Sequence, residues 1–117
     1  MDPNTKRAEA VLNHHLGCFL EQRGIDAIVA DYADEAVLFF GRDVFRGKRE
    51  IAGFFDDFIS GLPPQAISQF RLAFRQVEQE VAYIGWHAGA DLSGTDTFLI
   101  QDGKIRSQTV YLHGGPA

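Results

Sequence analysis

The strongest constraint on the fold of this chain is the segment Gly61-Leu62-Pro63-Pro64, which separates two kinds of pattern. Before it, apolar residues recur at the three- and four-residue spacings typical of helices, and proline cannot continue a helix beyond it. After it, strand-like segments follow one another through short turns. Antiparallel strands can be joined in this way, whereas parallel strands need long crossovers. The second half of the chain therefore predicts an antiparallel sheet.

Three helices are predicted in the first half. Residues 5 to about 22 carry a helical apolar pattern that ends at Gly24, residues 25–32 form a short second helix, and residues 48–60 form a third. The third helix has a continuous apolar stripe that can face a core. A turn at residues 33–35 and a short hairpin separate the second helix from the third.

Six strands are expected, two of them in that hairpin. Their predicted ranges are 36–40, 44–46, 66–78, 81–90, 95–100 and 105–113. Asp102-Gly103 is typical of the tight turn of a hairpin. Helices gathered on one face of an antiparallel sheet make an α+β domain. We expect one domain over residues 1–117, with an ordered core from about 5 to 113 and a frayed tail at 114–117.

The composition excludes several classes of function. The net charge is −5 and the pI about 5.2. No lysine or arginine run would draw the chain to nucleic acid or to an anionic membrane. The densest basic cluster, between Arg42 and Arg49, is interrupted by Asp43, and a solvated surface explains it better than a phosphate site. We expect neither a nucleic-acid partner nor a membrane partner.

The cysteine content and the N-terminus predict a cytoplasmic protein. Cys18 is the single cysteine, so no disulfide can form within the chain, as in proteins of reducing compartments. The first seven residues are polar and lack the apolar core of a signal peptide. A buried structural thiol is the favoured interpretation of Cys18.

Three stretches resemble the SnoaL-like and ketosteroid-isomerase-like proteins of the nuclear transport factor 2-like superfamily. Residues 24–37 (GIDAIVADYADEAV) resemble the passage from the second helix to the first strand. Residues 45–51 (FRGKREI), followed by Phe54-Phe55, resemble the entry into the third helix. Residues 94–100 (GTDTFLI), with 102–105 (DGKI) and Gln108-Thr109, resemble the last hairpin. The likeness extends from about residue 8 to residue 112.

This resemblance implies a cone-shaped α+β fold of the cystatin-like kind, with a pocket between a strongly curved sheet and the helices. It also implies a homodimer through the outer face of the sheet. The group includes isomerases, cyclases, hydrolases, dehydratases and many proteins without known activity. The fold alone therefore does not give the function.

The resemblance carries over few of the catalytic residues of steroid isomerase. An ungapped alignment places that enzyme's helical tyrosine on Leu16 and its aspartate base on Phe40. Neither side chain offers a proton or a lone pair. The acidic hydrogen-bond donor of a later strand corresponds to Thr95 or Asp96. Steroid isomerase chemistry by the known residues is therefore not expected.

Asp96 is the main candidate for chemistry. Alternate residues of a strand share a face, and the apolar partners of Asp96 and Trp86 indicate that both face the helices. Desolvation would raise the pKa of a lone carboxyl group there and make it an acid or base near neutral pH. The alternative is a structural role, in which Asp96 bonds to Thr109, Tyr111 or a backbone amide.

The same strand parity places Tyr111 and His113 near the pocket mouth, as hydrogen-bond partners for Asp96 or a substrate. An exposed histidine near the terminus is the alternative for His113. Of the adjacent histidines in the first helix, only one can face the pocket, and the apolar stripe selects His15 rather than His14. A helix-packing or surface histidine is the favoured interpretation. We find no set of residues with the spacing of a metal site and expect no metal and no cofactor.

The residues expected to line the pocket come from the first and third helices and from four strands. They are Leu16, Phe40, Phe54, Trp86, Phe98 and Thr109.

Two functions remain open. One is a small-molecule-binding domain with a mostly apolar pocket, whose catalytic form would be an acid/base isomerase, cyclase or hydratase acting on an apolar carbonyl compound. The alternative is a non-catalytic binding or dimerisation module with a filled pocket, which works through an outer sheet face carrying Tyr83, His87 and Val110.

Overall fold

The structure is a computed structural model that describes residues 2–113, so the predicted tail at 114–117 lies outside the described residues. Three helices and six strands follow one another along the chain. They are α1 (Pro3–Leu20), α2 (Ile25–Val29), β1 (Tyr32–Phe40), β2 (Asp43–Arg46), α3 (Gly47–Ser60), β3 (Phe70–Glu78), β4 (Val81–Ala88), β5 (Ser93–Gln101) and β6 (Lys104–His113).

The strands form one curved, unclosed sheet in the order β2-β1-β6-β5-β4-β3. All neighbouring pairs are antiparallel except β1 and β6, which are parallel. In the chain, β1 and β6 are separated by α3 and four strands, β2 to β5. The predicted α+β class is confirmed, and β3 to β6 are the four successive antiparallel strands that the sequence predicted.

Most element boundaries agree with the prediction to within two residues, and two differ by more. Tyr32 was expected to end the second helix, but it begins β1, and the predicted turn at 33–35 is part of that strand. Its ring is fully buried and its hydroxyl group donates to Gln108, so tertiary contacts outweigh the local helical pattern. Residues 66–69 are turns rather than strand, and the amide of Gln69 donates to the carbonyl of Gln65 over 3.0 Å.

The core lies between the inner face of the sheet and the helices. Ala8 and Leu12 of α1 are fully buried, as is Ile51 of α3. The carboxylate of Asp2 caps α1 by accepting from the amide of Asn4 over 2.7 Å, which satisfies a free helix donor. No helix among residues 2–113 combines the length and the apolar character needed to cross a membrane.

The start of α1 is hydrogen-bonded to the turn between β3 and β4. The amide of Gln79, in the turn between β3 and β4, donates to the Thr5 hydroxyl oxygen over 2.7 Å. Thr5 is buried, and its hydroxyl oxygen supplies the acceptor for this turn amide. This contact fixes how α1 crosses the inner face of the sheet and therefore where its middle residues meet the strands.

Candidate functional site

A cavity of about 50 Å³ lies between the helices and the inner face of the sheet. It is bounded by α1, α3, the segment after α3 and strands β3 to β6. Of the residues predicted to line a pocket, Leu16, Phe54, Trp86 and Phe98 do so. Phe40 does not line it, and its ring packs on Phe54 and Phe58 instead.

Asp96 places one carboxyl group in this mostly apolar cavity. Trp86 donates from Nε1 to Oδ1 over 2.9 Å, and Gln108 donates from Nε2 to Oδ2 over 2.8 Å. Burial raises the pKa of Asp96 to about 6, against these two hydrogen bonds, which lower it. Desolvation therefore outweighs the hydrogen bonds, and the carboxyl group changes charge just below neutral pH.

Gln108 links Asp96 to Tyr32 and is buried between them. Its amide nitrogen donates to Asp96, and its Oε1 accepts from the Tyr32 hydroxyl group. Because the tyrosine donates to the amide oxygen, the amide nitrogen must point to the carboxyl group. Reversing the amide would turn its oxygen toward the Asp96 carboxylate and place two acceptors against each other. Asp96 is thus held from two sides by rigid, buried donors.

His15 supplies a second polar group to the cavity wall. It is buried, and its Nδ1 has no hydrogen-bond partner among the described residues. Its ring lies edge-on to Tyr32 and Phe98, with centroids 5.5 and 5.6 Å away. Burial lowers the pKa of His15 to about 4, so the imidazole is neutral at pH 7. It lines the cavity, on the helix face that the apolar stripe selected, whereas the sequence favoured a packing or surface histidine.

Tyr111, His113 and Thr109 do not face the cavity, and the prediction that they do is wrong. The β5–β6 register shifts between Leu99 and Ile100, and one extra residue in a strand moves all later side chains to the other face. Tyr111 is 60% exposed. His113 Nε2 lies 3.0 Å from the Thr95 hydroxyl group, on the outer face.

The same register shift explains which residues the sequence analysis missed. Gln108 and Val110 turn inward and line the cavity, although the unbroken parity had placed Val110 on the outer face. Asp96 consequently bonds to Gln108 rather than to Thr109 or Tyr111. The one sequence signal for the inward positions of β6 was the alternation of Ile105 with polar residues. A register shift conceals this signal, because the side chains beyond it change face.

The arrangement can transfer protons in mostly apolar surroundings. With a pKa of about 6, Asp96 is mostly ionised at pH 7 and can accept a proton without being a weak base. The neutral His15 ring can accept or donate one hydrogen bond at its free nitrogen.

The size of the cavity limits what it can hold. Its volume of about 50 Å³ is smaller than the roughly 150 Å³ that holds benzene. A ligand as large as benzene therefore requires the aromatic wall of the cavity to move.

Comparison with known families and with curated proteins found no match. Solved structures do match. A nuclear transport factor 2-like protein of unknown function from Mesorhizobium loti is 18% identical, with a TM-score of 0.77 and 97% of each chain covered. A proposed ketosteroid isomerase from Kribbella flavida is 14% identical with a TM-score of 0.71, covering 96% of this chain and 82% of that one.

A third similar structure is an epoxide hydrolase of M. tuberculosis, described as LEH-like. It is 17% identical with a TM-score of 0.67, and the match covers 94% of this chain and 85% of that one. At these identities the likeness shows the fold alone. The chain has the nuclear transport factor 2-like, cystatin-like fold, as the resemblance predicted.

Proposed function

We propose that this protein binds a small apolar molecule in the cavity and acts on it by acid/base catalysis. The observation that carries the proposal is Asp96, a carboxyl group with a raised pKa that is held by Trp86 and Gln108 against an apolar wall. A buried carboxyl group costs stability unless it is fully satisfied, and perturbed pKa values concentrate at functional sites.

The chemistry that suits this site is proton transfer on an apolar carbonyl compound, as in an isomerase, cyclase or hydratase. Asp96 would remove a proton next to the carbonyl group or activate a water molecule. His15 lines the same cavity, and its Nδ1, which has no partner among the described residues, would hydrogen-bond the substrate oxygen. Solved structures with this fold that are named as an isomerase and an epoxide hydrolase support a small-molecule role.

A non-catalytic module is the second candidate, and the small cavity favours it. Phe54, Phe55 and Phe58 of α3 project toward the sheet and already fill much of the space between the layers. In this alternative, Asp96 and His15 are structural residues, and the outer face of the sheet is the working surface.

Ligand binding is tested by a thermal-shift screen against small apolar ketones, aldehydes, enones and epoxides. A ligand at about 100 times its dissociation constant stabilises by about 2.7 kcal/mol, or roughly ten degrees for a domain of this size. Ala88→Leu adds bulk at the cavity wall and should abolish the shift. Ala73→Leu makes the same change at an exposed position and should keep it.

Catalysis is tested by NMR, following the uptake of solvent deuterium beside the carbonyl group of a ligand that binds. Asp96→Asn should slow this exchange by roughly 10²–10⁴-fold, the usual size of general acid–base assistance. Asp102→Asn, in an exposed turn, is the matched control and should exchange at the wild-type rate. Unchanged exchange in Asp96→Asn would exclude Asp96 as the base, and no ligand in the screen would favour the non-catalytic module.

A further inference from the structure

A group of metal-ligating side chains lies on α1, away from the cavity. His14 and Cys18 are one helical turn apart, and Asp31 follows α2 in the chain. One ligand atom from each of the three residues lies within 4.8 Å of the others. None of them lines the cavity, and the acid/base mechanism does not use them.

The distances within this group approach those of a tetrahedral metal site. His14 Nδ1 lies 3.7 Å from Cys18 Sγ and 2.8 Å from both carboxylate oxygens of Asp31. With zinc bonds of about 2.3 Å to sulfur and about 2.0 Å to nitrogen and oxygen, tetrahedral angles separate the ligand atoms by about 3.3–3.6 Å. The widest separation in the group is 4.8 Å, so side-chain movements of about one ångström would bring the three ligand atoms around an ion of that size.

The ligand types select the metal. A thiolate, an imidazole and one carboxylate together match the preferences of Zn²⁺, whereas Mg²⁺ and Ca²⁺ prefer oxygen alone. Cys18 is buried, while the side chain of His14 is 53% exposed. An ion can therefore reach the group from solvent beside the imidazole, and a water molecule can complete a four-coordinate shell there.

The backbone holds the third ligand in place independently of the histidine. The carbonyl oxygen of Asp31 accepts from the amide of Ile105 over 2.8 Å, and that of Ala30 accepts from Lys104 Nζ over 2.8 Å. Both donors belong to the start of β6. Arg23 also borders the group, with its Nη1 4.0 Å from Cys18 Sγ.

We propose that His14, Cys18 and Asp31 bind one Zn²⁺ ion, with water as the fourth ligand. Binding releases the thiol proton of Cys18, leaves the ring proton of His14 on Nε2 instead of Nδ1, and replaces the hydrogen bond between His14 and Asp31 with two bonds to the metal. The ion would join α1 to the segment that enters β1. The sequence analysis expected no metal site because Asp31 is 17 residues from His14 and shares no local motif with it.

The test uses Co²⁺ and Zn²⁺ with the reduced, chelator-treated protein. Cobalt should bind one to one, with the visible bands of tetrahedral coordination and the near-ultraviolet charge-transfer band of a thiolate, and zinc should displace it. Competition with a chromophoric chelator should show that Cys18→Ala, His14→Ala and Asp31→Asn each lower zinc affinity more than about tenfold. His87→Ala, on the exposed outer sheet face, should bind zinc as the wild type does.

Circular dichroism will show which variants are folded. If Cys18→Ala is not, the exposed His14→Ala still tests the site. Absence of the thiolate band, or zinc affinity that is equal in wild type and His14→Ala, would overturn the proposal and leave His14 and Asp31 as an ordinary ion pair.

Discussion

Asp96 and His15 are two buried ionisable residues whose pKa values burial moves in opposite directions. The pKa of Asp96 rises from 3.8 to about 6, and the pKa of His15 falls from 6.5 to about 4. Both residues therefore favour the neutral form in the folded state. A group whose folded pKa is raised supports the fold at low pH and loses that support as pH rises through the folded value. A histidine whose folded pKa is lowered supports the fold at high pH and loses that support as pH falls from its ordinary pKa toward the folded value.

The two residues should make opposing contributions to stability between about pH 4 and 6.5. In His15→Phe, Asp96 remains, and the unfolding free energy should fall by about 3 kcal/mol as the pH rises from 4 to 6, relative to the double variant that carries both Asp96→Asn and His15→Phe. In Asp96→Asn, His15 remains, and the unfolding free energy should fall by about 3 kcal/mol as the pH drops from 6.5 to 4, relative to the same double variant.

Urea denaturation at several pH values measures both slopes. The exposed carboxylates are the same in all three variants, so their contribution cancels when each single variant is compared with the double variant. Parallel pH profiles for Asp96→Asn and His15→Phe would contradict the pKa shifts of both residues.

At the level of the elements, periodicity predicted the helices and strands, whereas side-chain direction depended on features that the sequence does not display. β3 contains a register shift between Leu72 and Phe74, so Phe74 packs against Tyr83 on the outer face despite its period-two spacing from Phe70. A similar shift after Leu99 reverses β6. Asp96 precedes this second shift, which is why its inward direction could be predicted and that of Tyr111 could not.

Gly94 of β5 shows how one strand position supports the site. A Cβ atom there would lie 2.5 Å from the Trp86 ring and 2.9 Å from the carbonyl oxygen of Tyr111. The indole that donates to Asp96 therefore occupies the space above this glycine. A larger residue would have to displace a ring that is held by that hydrogen bond and by stacking on Phe70.

Gly94→Ala should lower the unfolding free energy by about 1–3 kcal/mol through overpacking. It should also raise the pKa of Asp96 further, because the displaced indole no longer stabilises the carboxylate. Gly53→Ala, in α3, meets no atom within 4 Å and should instead stabilise by roughly 0.5–1 kcal/mol. Urea denaturation and near-ultraviolet circular dichroism measure both effects, and equal stability of Gly94→Ala and wild type would show that Trp86 can move freely.

For the molecule as a whole, the outer face of the sheet is the surface most suited to contact with a second copy. Phe39, Phe74, Val81, Tyr83 and Tyr111 are each 38–60% exposed. Exposed apolar groups of this kind mark interaction surfaces, and aromatic residues are enriched in such interfaces. The homodimer implied by the family resemblance remains a prediction, and a two-fold axis would place this face against itself.

Sedimentation velocity tests the dimer. Wild type should sediment at twice the 13.0 kDa mass of the chain, and Tyr111→Glu should sediment as a monomer because it buries an unpaired charge in the contact. Asn13→Glu adds the same charge on the exposed side of α1 and should leave the dimer intact. A wild-type monomer, or a Tyr111→Glu dimer, would place the contact elsewhere or exclude it.

The titration of Asp96 tests the central claim most directly, because both the raised pKa and the proposed chemistry depend on this carboxyl group. Its side-chain carbon can be followed by NMR and assigned by its loss in Asp96→Asn. We expect a midpoint of about 6 that moves when a cavity ligand is added. A midpoint at or below 3.8, the ordinary value, would show a solvated carboxylate and contradict the proposed acid/base site.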